Sequence, residues 1–156
     1  NGYTLVRELL ARDPDLATRP VDGSTFLDVV MRPHLCYYKA VRDLFASRSL
    51  NGLAHITGGG IQDNLDRILP SSLDAAIDLA ALRVPEVFKV IRAAGGVPDA
   101  DMLRTFNLGV GLALLCPPRQ VDHVTSHLAT QGCAAYPVGK IVAGSGAVRY
   151  EGSLNW

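Results

Sequence analysis

Apolar residues recur along this chain in two patterns, one at helical spacing and one in short continuous runs. Val41, Leu44 and Phe45 illustrate the first pattern, because residues three and four apart lie on one face of a helix. The same spacing elsewhere predicts several helices, whose ends are marked by Pro or Gly. These helices cover residues 3–12, the segment beyond Lys39 to about Ser47, Pro85 to Gly95-Gly96, and Pro117-Pro118 to Gly132, with a brief helical turn at 102–106.

Short apolar runs bounded by Gly, Pro or Asn predict strands. A glycine-rich turn at 144–146 joins the last two runs, which indicates a terminal hairpin. Strands that alternate with helices predict an α/β (α+β) domain with a mixed sheet covered by helices. The predicted strands span residues 53–56, 75–79, 110–116, 134–143 and 148–150.

The stretch Leu53-Ala54-His55-Ile56-Thr57-Gly58-Gly59-Gly60 predicts a strand followed by a tight turn and a helix. Residues without Cβ let backbone N–H groups approach a ligand closely. The first N–H groups of the next helix also lack intrahelical partners, so an anion can bind there. The alternative from the residues alone is a sharp strand-to-helix reversal with no ligand.

Composition predicts one compact domain over residues 1–156. Apolar residues make up 48% and charged residues 19%, a globular balance. Lys plus Arg equals Asp plus Glu at 15 each, so no overall field favours nucleic acid or an anionic membrane. No apolar run approaches the ~18 residues that a membrane helix needs. The three cysteines, Cys36, Cys116 and Cys133, are typical of reduced thiols in a cytoplasmic protein.

Four stretches, in order, resemble the phosphoribosylformylglycinamidine cyclo-ligase (AIR synthetase) family. The most specific is Ala54-His55-Ile56-Thr57-Gly58-Gly59-Gly60, backed by Asn64 and Arg67, because related families carry other residues at this turn. The other three are Asn1-Gly2-Tyr3-Thr4-Leu5-Val6-Arg7, Phe106-Asn107-Leu108-Gly109-Val110-Gly111 and Ala135-Tyr136-Pro137-Val138-Gly139-Lys140-Ile141-Val142.

The resemblance covers the whole chain but only the carboxy-terminal half of the family's protein. It implies a layered α/β sandwich that forms part of an ATP-dependent enzyme of purine biosynthesis. That enzyme closes the imidazole ring of formylglycinamidine ribonucleotide. It further implies ATP and Mg²⁺ as cofactors, an amino-terminal half that supplies most metal ligands, and a homodimer. The start at Asn1, inside a family motif, predicts that this sequence is a fragment of a longer protein.

The resemblance also implies a set of site residues. His55 is the candidate catalytic residue, as a phosphate donor or proton shuttle; a core histidine bonded to backbone is the alternative. No metal ligand is assigned, and His123 and His127, four apart, are interpreted as a solvated helix face. The expected substrate or phosphate contacts are Asn1, Gly2, Lys39, Thr57, Gly58, Gly59, Gly60, Asn107, Gly109 and Gly111.

One segment departs from the family. Where the family reads Pro-Thr-Arg-Ile-Tyr-Val-Lys, this chain reads Pro33-His34-Leu35-Cys36-Tyr37-Tyr38-Lys39. Leu35 cannot replace a guanidinium that holds phosphate by two parallel hydrogen bonds. One interpretation is an enzyme in which His34 or Lys39 supplies the charge instead. The alternatives are a non-catalytic domain that binds a phosphate ligand or assists assembly, and a paralogue acting on another amide or acid.

Overall fold

The computed structural model describes all residues, 1–156, and has seven α-helices. Three short 3₁₀ helices connect them. The predicted first helix has the predicted bounds, since Gly2 opens it and Asp13 ends it. None of the helices combines the length and apolar content that a membrane crossing requires. The helices are α1 (Tyr3–Arg12), α2 (Phe26–Val30), α3 (Tyr38–Ala46), α4 (Gly60–Asp66), α5 (Glu86–Gly95), α6 (Asp99–Thr105) and α7 (Val121–Thr130).

Seven strands form three separate sheets. A short hairpin, an antiparallel ladder of β3 with β5, and a mixed sheet in the order β6-β4-β7 make up the strand content. The α/β class is therefore confirmed, although the predicted mixed sheet has only three strands. The strands are β1 (Pro20–Val21), β2 (Ser24–Thr25), β3 (Gly52–His55), β4 (Leu73–Asp78), β5 (Leu112–Leu115), β6 (Gly139–Ala143) and β7 (Val148–Glu151).

The β3-β5 ladder lies between two apolar clusters. Because successive side chains of a strand alternate between faces, Leu53 packs with α3 and α7, whereas Ala54 packs into the main core. The main core holds 20 buried residues from helices α1, α2, α4, α5 and α6 and from β4, among others. The smaller cluster consists of Ala40, Val41, Leu44, Val124 and Leu128. This arrangement is the layered sandwich expected from the sequence.

The predicted terminal hairpin is wrong. Strands β6 and β7 do run in opposite directions, but β4 lies between them, antiparallel to β6 and parallel to β7. The loop at 144–147 therefore crosses the end of β4 instead of making a tight turn. The predicted strand at 134–143 is also shorter than expected, since only residues 139–143 pair with a neighbour.

A buried carboxylate holds that crossing loop in place. Asp74, 2% exposed, accepts hydrogen bonds at Oδ1 from the backbone amides of Ser145 (2.7 Å) and Ala147 (2.9 Å). Its Oδ2 accepts from Arg149 Nε at 2.7 Å. Led by the Ala147 and Ser145 amides, these donors lower the pKa of Asp74 to about 2. One side chain thus fixes the loop and the strand that follows it.

Two helix faces differ from expectation. Phe45 lies 54% exposed, so the buried face of α3 is formed by Ala40, Val41 and Leu44 instead. On α7, His127 is half-buried and its Nε2 donates to the backbone carbonyl of Ala40 at 3.0 Å. His127 therefore links α7 to α3 and does not belong to a fully solvated face.

Candidate functional site

A cavity of about 310 Å³ lies where α1 begins, where α2 ends and where β3 meets the glycine-rich turn. Its wall is apolar on the side of α2 and α5 and polar where chain segments begin or end. Three of the expected site residues line it together although they are far apart in sequence: Asn1, Thr57 and Asn107. The remaining lining residues are Tyr3, Val6, Val29, Val30, Arg32, His34, Ile56, Val87, Phe88, Ile91 and Phe106.

The three glycines of the turn serve different purposes. A Cβ on Gly58 would lie 3.4 Å from the side chain of Asn1, so this glycine faces a cavity residue. Gly59 has a φ of +90°, and a Cβ there would collide with the Asp63 carboxylate. Gly60, at φ +64°, packs directly against the Leu103 carbonyl of α6. None of the three glycines lines the cavity itself. Gly58 faces the lining residue Asn1, whereas backbone geometry and packing account for Gly59 and Gly60.

Asn64 supports the turn from within. This side chain, 5% exposed, donates from Nδ2 to the carbonyls of Gly58 (3.1 Å) and Gly60 (2.7 Å). Its Oδ1 lies 3.4 Å from Thr57 Oγ1 and from Arg67 Nη1, which both donate toward it. The turn is thus held by a buried amide that does not line the cavity.

The amino end of α1 also reaches the cavity. Gly2 adopts φ +77° and no side chain caps this helix end, so the first N–H groups remain available for a ligand. Gly2 is required by packing as well, because a Cβ would collide with the ring of Phe106. The Tyr3 hydroxyl donates to the Val30 carbonyl and ties this end to α2.

Residues of the segment between α2 and α3 line two different cavities. Arg32 and His34 line the first cavity, whereas Leu35 lines a larger, mainly apolar cleft of about 1080 Å³ between the β3-β5 ladder and the mixed sheet. Lys39, at the start of α3, is exposed and lines neither space. Of the two expected charge donors, the structure therefore brings His34 to the cavity and leaves Lys39 outside.

Three further expected site residues lie away from the cavity. His55 is exposed at the end of β3, with its ring 5.1 Å from that of His34 and 6.3 Å from that of Tyr37. The alternative of a buried core histidine is thus wrong. Gly109 and Gly111 line the larger cleft, where a Cβ on Gly109 would lie 2.6 Å from Pro85 and one on Gly111 would collide with the Tyr37 hydroxyl.

Comparison with known proteins identifies the family. The family described as AIR synthase related protein, C-terminal domain, matches residues 1–151. The chain belongs to this AIR synthase related family.

Named relatives share this domain. Phosphoribosylformylglycinamidine cyclo-ligase of Desulfitobacterium hafniense (strain DSM 10664 / DCB-2) is 39% identical over 150 residues, which are 96% of this chain and 44% of that protein. The chloroplastic cyclo-ligase of Arabidopsis thaliana is 39% identical over 154 residues, 97% of this chain and 39% of that protein. The cyclo-ligase of Bordetella petrii is 40% identical over 145 residues, which are 92% of this chain and 42% of that protein. This AIR synthase related chain thus spans less than half the length of these relatives.

The cavity of this AIR synthase related domain is lined by one arginine and by no carboxylate. Magnesium prefers carboxylate oxygens, and no Asp or Glu lines the cavity. The residues present therefore do not fit a magnesium site. Arg32 and the amino end of α1 instead suit an anion. Sequence reasoning missed Arg32, although its place next to Pro33, where the family motif begins, was a usable signal.

Proposed function

We propose that this domain binds the phosphate of formylglycinamidine ribonucleotide in the cavity of about 310 Å³, as part of a full-length ATP-dependent cyclo-ligase. In the proposed reaction, ATP phosphorylates the formyl oxygen, and an amidine nitrogen then attacks that carbon and displaces phosphate. The imidazole ring closes as the carbon–nitrogen bond forms.

One observation carries the proposal: the uncapped amino end of α1 and the polar side chains from three separate family motifs meet in one cavity. Asn1, Thr57 and Asn107 come from the first, second and third of these motifs along the chain. Neutral donors and helix N–H groups are the groups that hold a phosphate without a strongly nucleophilic side chain. The family membership of the chain supports the same conclusion.

The size of the cavity limits its occupant. Ligand pockets commonly measure about 300–1,000 Å³, so a space of about 310 Å³ fits one small ligand. The apolar side, which includes Val87 and Phe88, suits the ribose and the uncharged part of a single nucleotide. We therefore assign this cavity to the ribonucleotide and place ATP elsewhere.

The remaining parts of the reaction fall to groups outside the cavity. Because no carboxylate lines it, we propose that an amino-terminal half supplies the magnesium ligands and most of the ATP site. That half also forms the dimer in this proposal. The relatives are more than twice as long as their match to this chain, which is consistent with such a half.

Calorimetric titration of the full-length protein with formylglycinamidine ribonucleotide tests the proposal, with Gly58→Ala as the variant. The added methyl would lie 3.4 Å from the side chain of Asn1, so it would press this lining residue away from a ligand without a backbone collision that prevents folding. Loss of one hydrogen bond to a charged ligand is expected to weaken binding about tenfold or more.

Gly52→Ala is the matched control, because its Cβ would lie 3.5 Å from Ile68 at the larger cleft and its φ is also not positive. This variant is expected to bind like the parent. If the folded parent does not bind the ribonucleotide, the proposed function is wrong. Equal weakening by both alanines would show that the cavity is not the site.

A further inference from the structure

We propose that Arg32 holds the phosphate of the ligand in the first cavity, and this inference rests on the proposed function. Arg32 is the only lysine or arginine that lines the cavity. It lies two residues beyond the end of α2, and its backbone amide donates to the Val29 carbonyl at 3.3 Å. Pro33, with its fixed φ, comes next and restricts the backbone of Arg32 as well. The guanidinium therefore extends from a constrained stretch of chain.

The guanidinium of Arg32 has no acidic partner. The four ion pairs of the protein join other residues, and no side-chain hydrogen bond engages Arg32. Asp28, four residues earlier, is an acidic group on which the charge of Arg32 acts. Its Oδ2 accepts from the hydroxyls of Thr25 (2.7 Å) and Ser24 (3.2 Å). These two bonds lower the pKa of Asp28 most, and Arg32 adds the smallest contribution. The donors of Arg32 remain free for a ligand.

The surroundings of Arg32 favour an anion with several oxygens. The neutral side chains of Asn1, Thr57 and Asn107 line the cavity together with Arg32, and so does the imidazole of His34. The lining contains no carboxylate, which would repel a phosphate. A guanidinium presents donors in a planar fork, which matches two phosphate oxygens at once.

The side chains around Pro33 point to different spaces. Leu35 stands where the family motif has arginine, and it lines the larger cleft. Lys39 retains its charge but lies outside both spaces. Of the two cations in this segment, Arg32 therefore reaches the cavity and Lys39 does not.

Titration calorimetry on the full-length protein tests this assignment with two probes, formylglycinamidine ribonucleotide and ribose 5-phosphate. Arg32→Gln removes the charge at an exposed position, so folding is expected to be unaffected. Binding of both probes should weaken about ten- to a hundredfold, the loss typical of a charged hydrogen-bonded contact. Arg32→Lys should lie between the parent and Arg32→Gln, since an ammonium keeps the charge but not the fork.

Arg12→Gln serves as the control, because Arg12 lies at the far end of α1 and lines neither space. It should bind both probes like the parent. Unchanged binding in Arg32→Gln would overturn the inference while leaving the proposed function intact, and so would a loss that occurs in Lys39→Gln instead. If ribose 5-phosphate binds through Arg32 but the ribonucleotide does not bind, the proposed function fails and this inference stands.

Discussion

The buried amide of Asn64 offers a quantitative test of what holds the glycine-rich turn. Asn64→Ala removes the Nδ2 donor that reaches the Gly58 and Gly60 carbonyls at 3.1 and 2.7 Å. For the Gly58 carbonyl, Asn64 is the only protein donor. The two hydrogen bonds that Oδ1 accepts from the Thr57 and Arg67 side chains are long, at 3.4 Å, and contribute little.

The expected loss follows from the two short bonds. A neutral hydrogen bond contributes about 1 kcal/mol net, so the free energy of unfolding should fall by about 2 kcal/mol. For a domain of this size, that corresponds to a decrease in Tm of about 4–8 °C. Helix propensity cannot cause such a loss, because alanine is the best helix former.

Urea unfolding followed by circular dichroism measures the change. With a typical slope of about 2 kcal/mol per molar, the midpoint should shift by about 1 M. Gln62→Ala, on the exposed face of the same helix, is the control and should be neutral. The nearly isosteric Asn64→Asp should lose more than Asn64→Ala at neutral pH, since a carboxylate oxygen then faces two carbonyl oxygens.

The reasoning would be refuted if Asn64→Ala unfolded at the same urea concentration as Gln62→Ala. The turn would then be held by its own backbone, and the buried amide would be incidental. A loss in Asn64→Asp smaller than in Asn64→Ala would likewise contradict the assigned direction of the hydrogen bonds.

Three further predictions concern stability. The pKa of Asp74 is lowered from 3.8 to about 2 in the folded protein, so the ionised carboxylate contributes its full stabilisation above pH ~4. That stabilisation is lost as the pH falls through about 2. Acid unfolding of Asp74→Asn should therefore lack the loss of stability that the parent shows in this pH range. The buried hydroxyl of Tyr150 has no hydrogen-bond partner, and the nearby Gln62 backbone lies outside hydrogen-bond geometry. Tyr150→Phe should therefore leave the free energy of unfolding in urea unchanged or raise it by up to ~1 kcal/mol. A clear loss of stability would contradict this. Gly60→Ala should lower Tm far more than Gly96→Ala, because both have positive φ but only the former collides with a backbone carbonyl; equal losses would refute the packing argument.

Local patterns predicted much of the fold and part of the candidate site. The bounds of α1 follow from apolar spacing and the Asp13-Pro14 stop, both of which act within a few residues. The strand-turn-helix at Gly58–Gly60 was equally local. Asn1, Thr57 and Asn107 gather in one cavity because each stands at an end of a correctly predicted element or beside one.

Contacts between residues far apart in sequence determine the strand order around β4 and the cation that faces the cavity, and local patterns do not predict either. The turn at 144–146 favours a hairpin locally, but Asp74, some seventy residues earlier, binds the loop and places β4 between the two strands. Likewise, spacing could not show which cation faces the cavity. The direction in which the chain leaves α2 brings Arg32 to the wall and carries Lys39 away.

The central position of β4 also constrains the order in which the domain can assemble. Its parallel partner β7 lies about seventy residues later, and parallel pairing between distant segments closes slowly. Until residues 145–151 arrive, one edge of β4 has unpaired N–H and C=O groups and the Asp74 carboxylate lacks its donors. An unpaired strand edge can recruit strands from other molecules. Misassembly of this domain should therefore begin at β4 and be favoured by any change that delays β7.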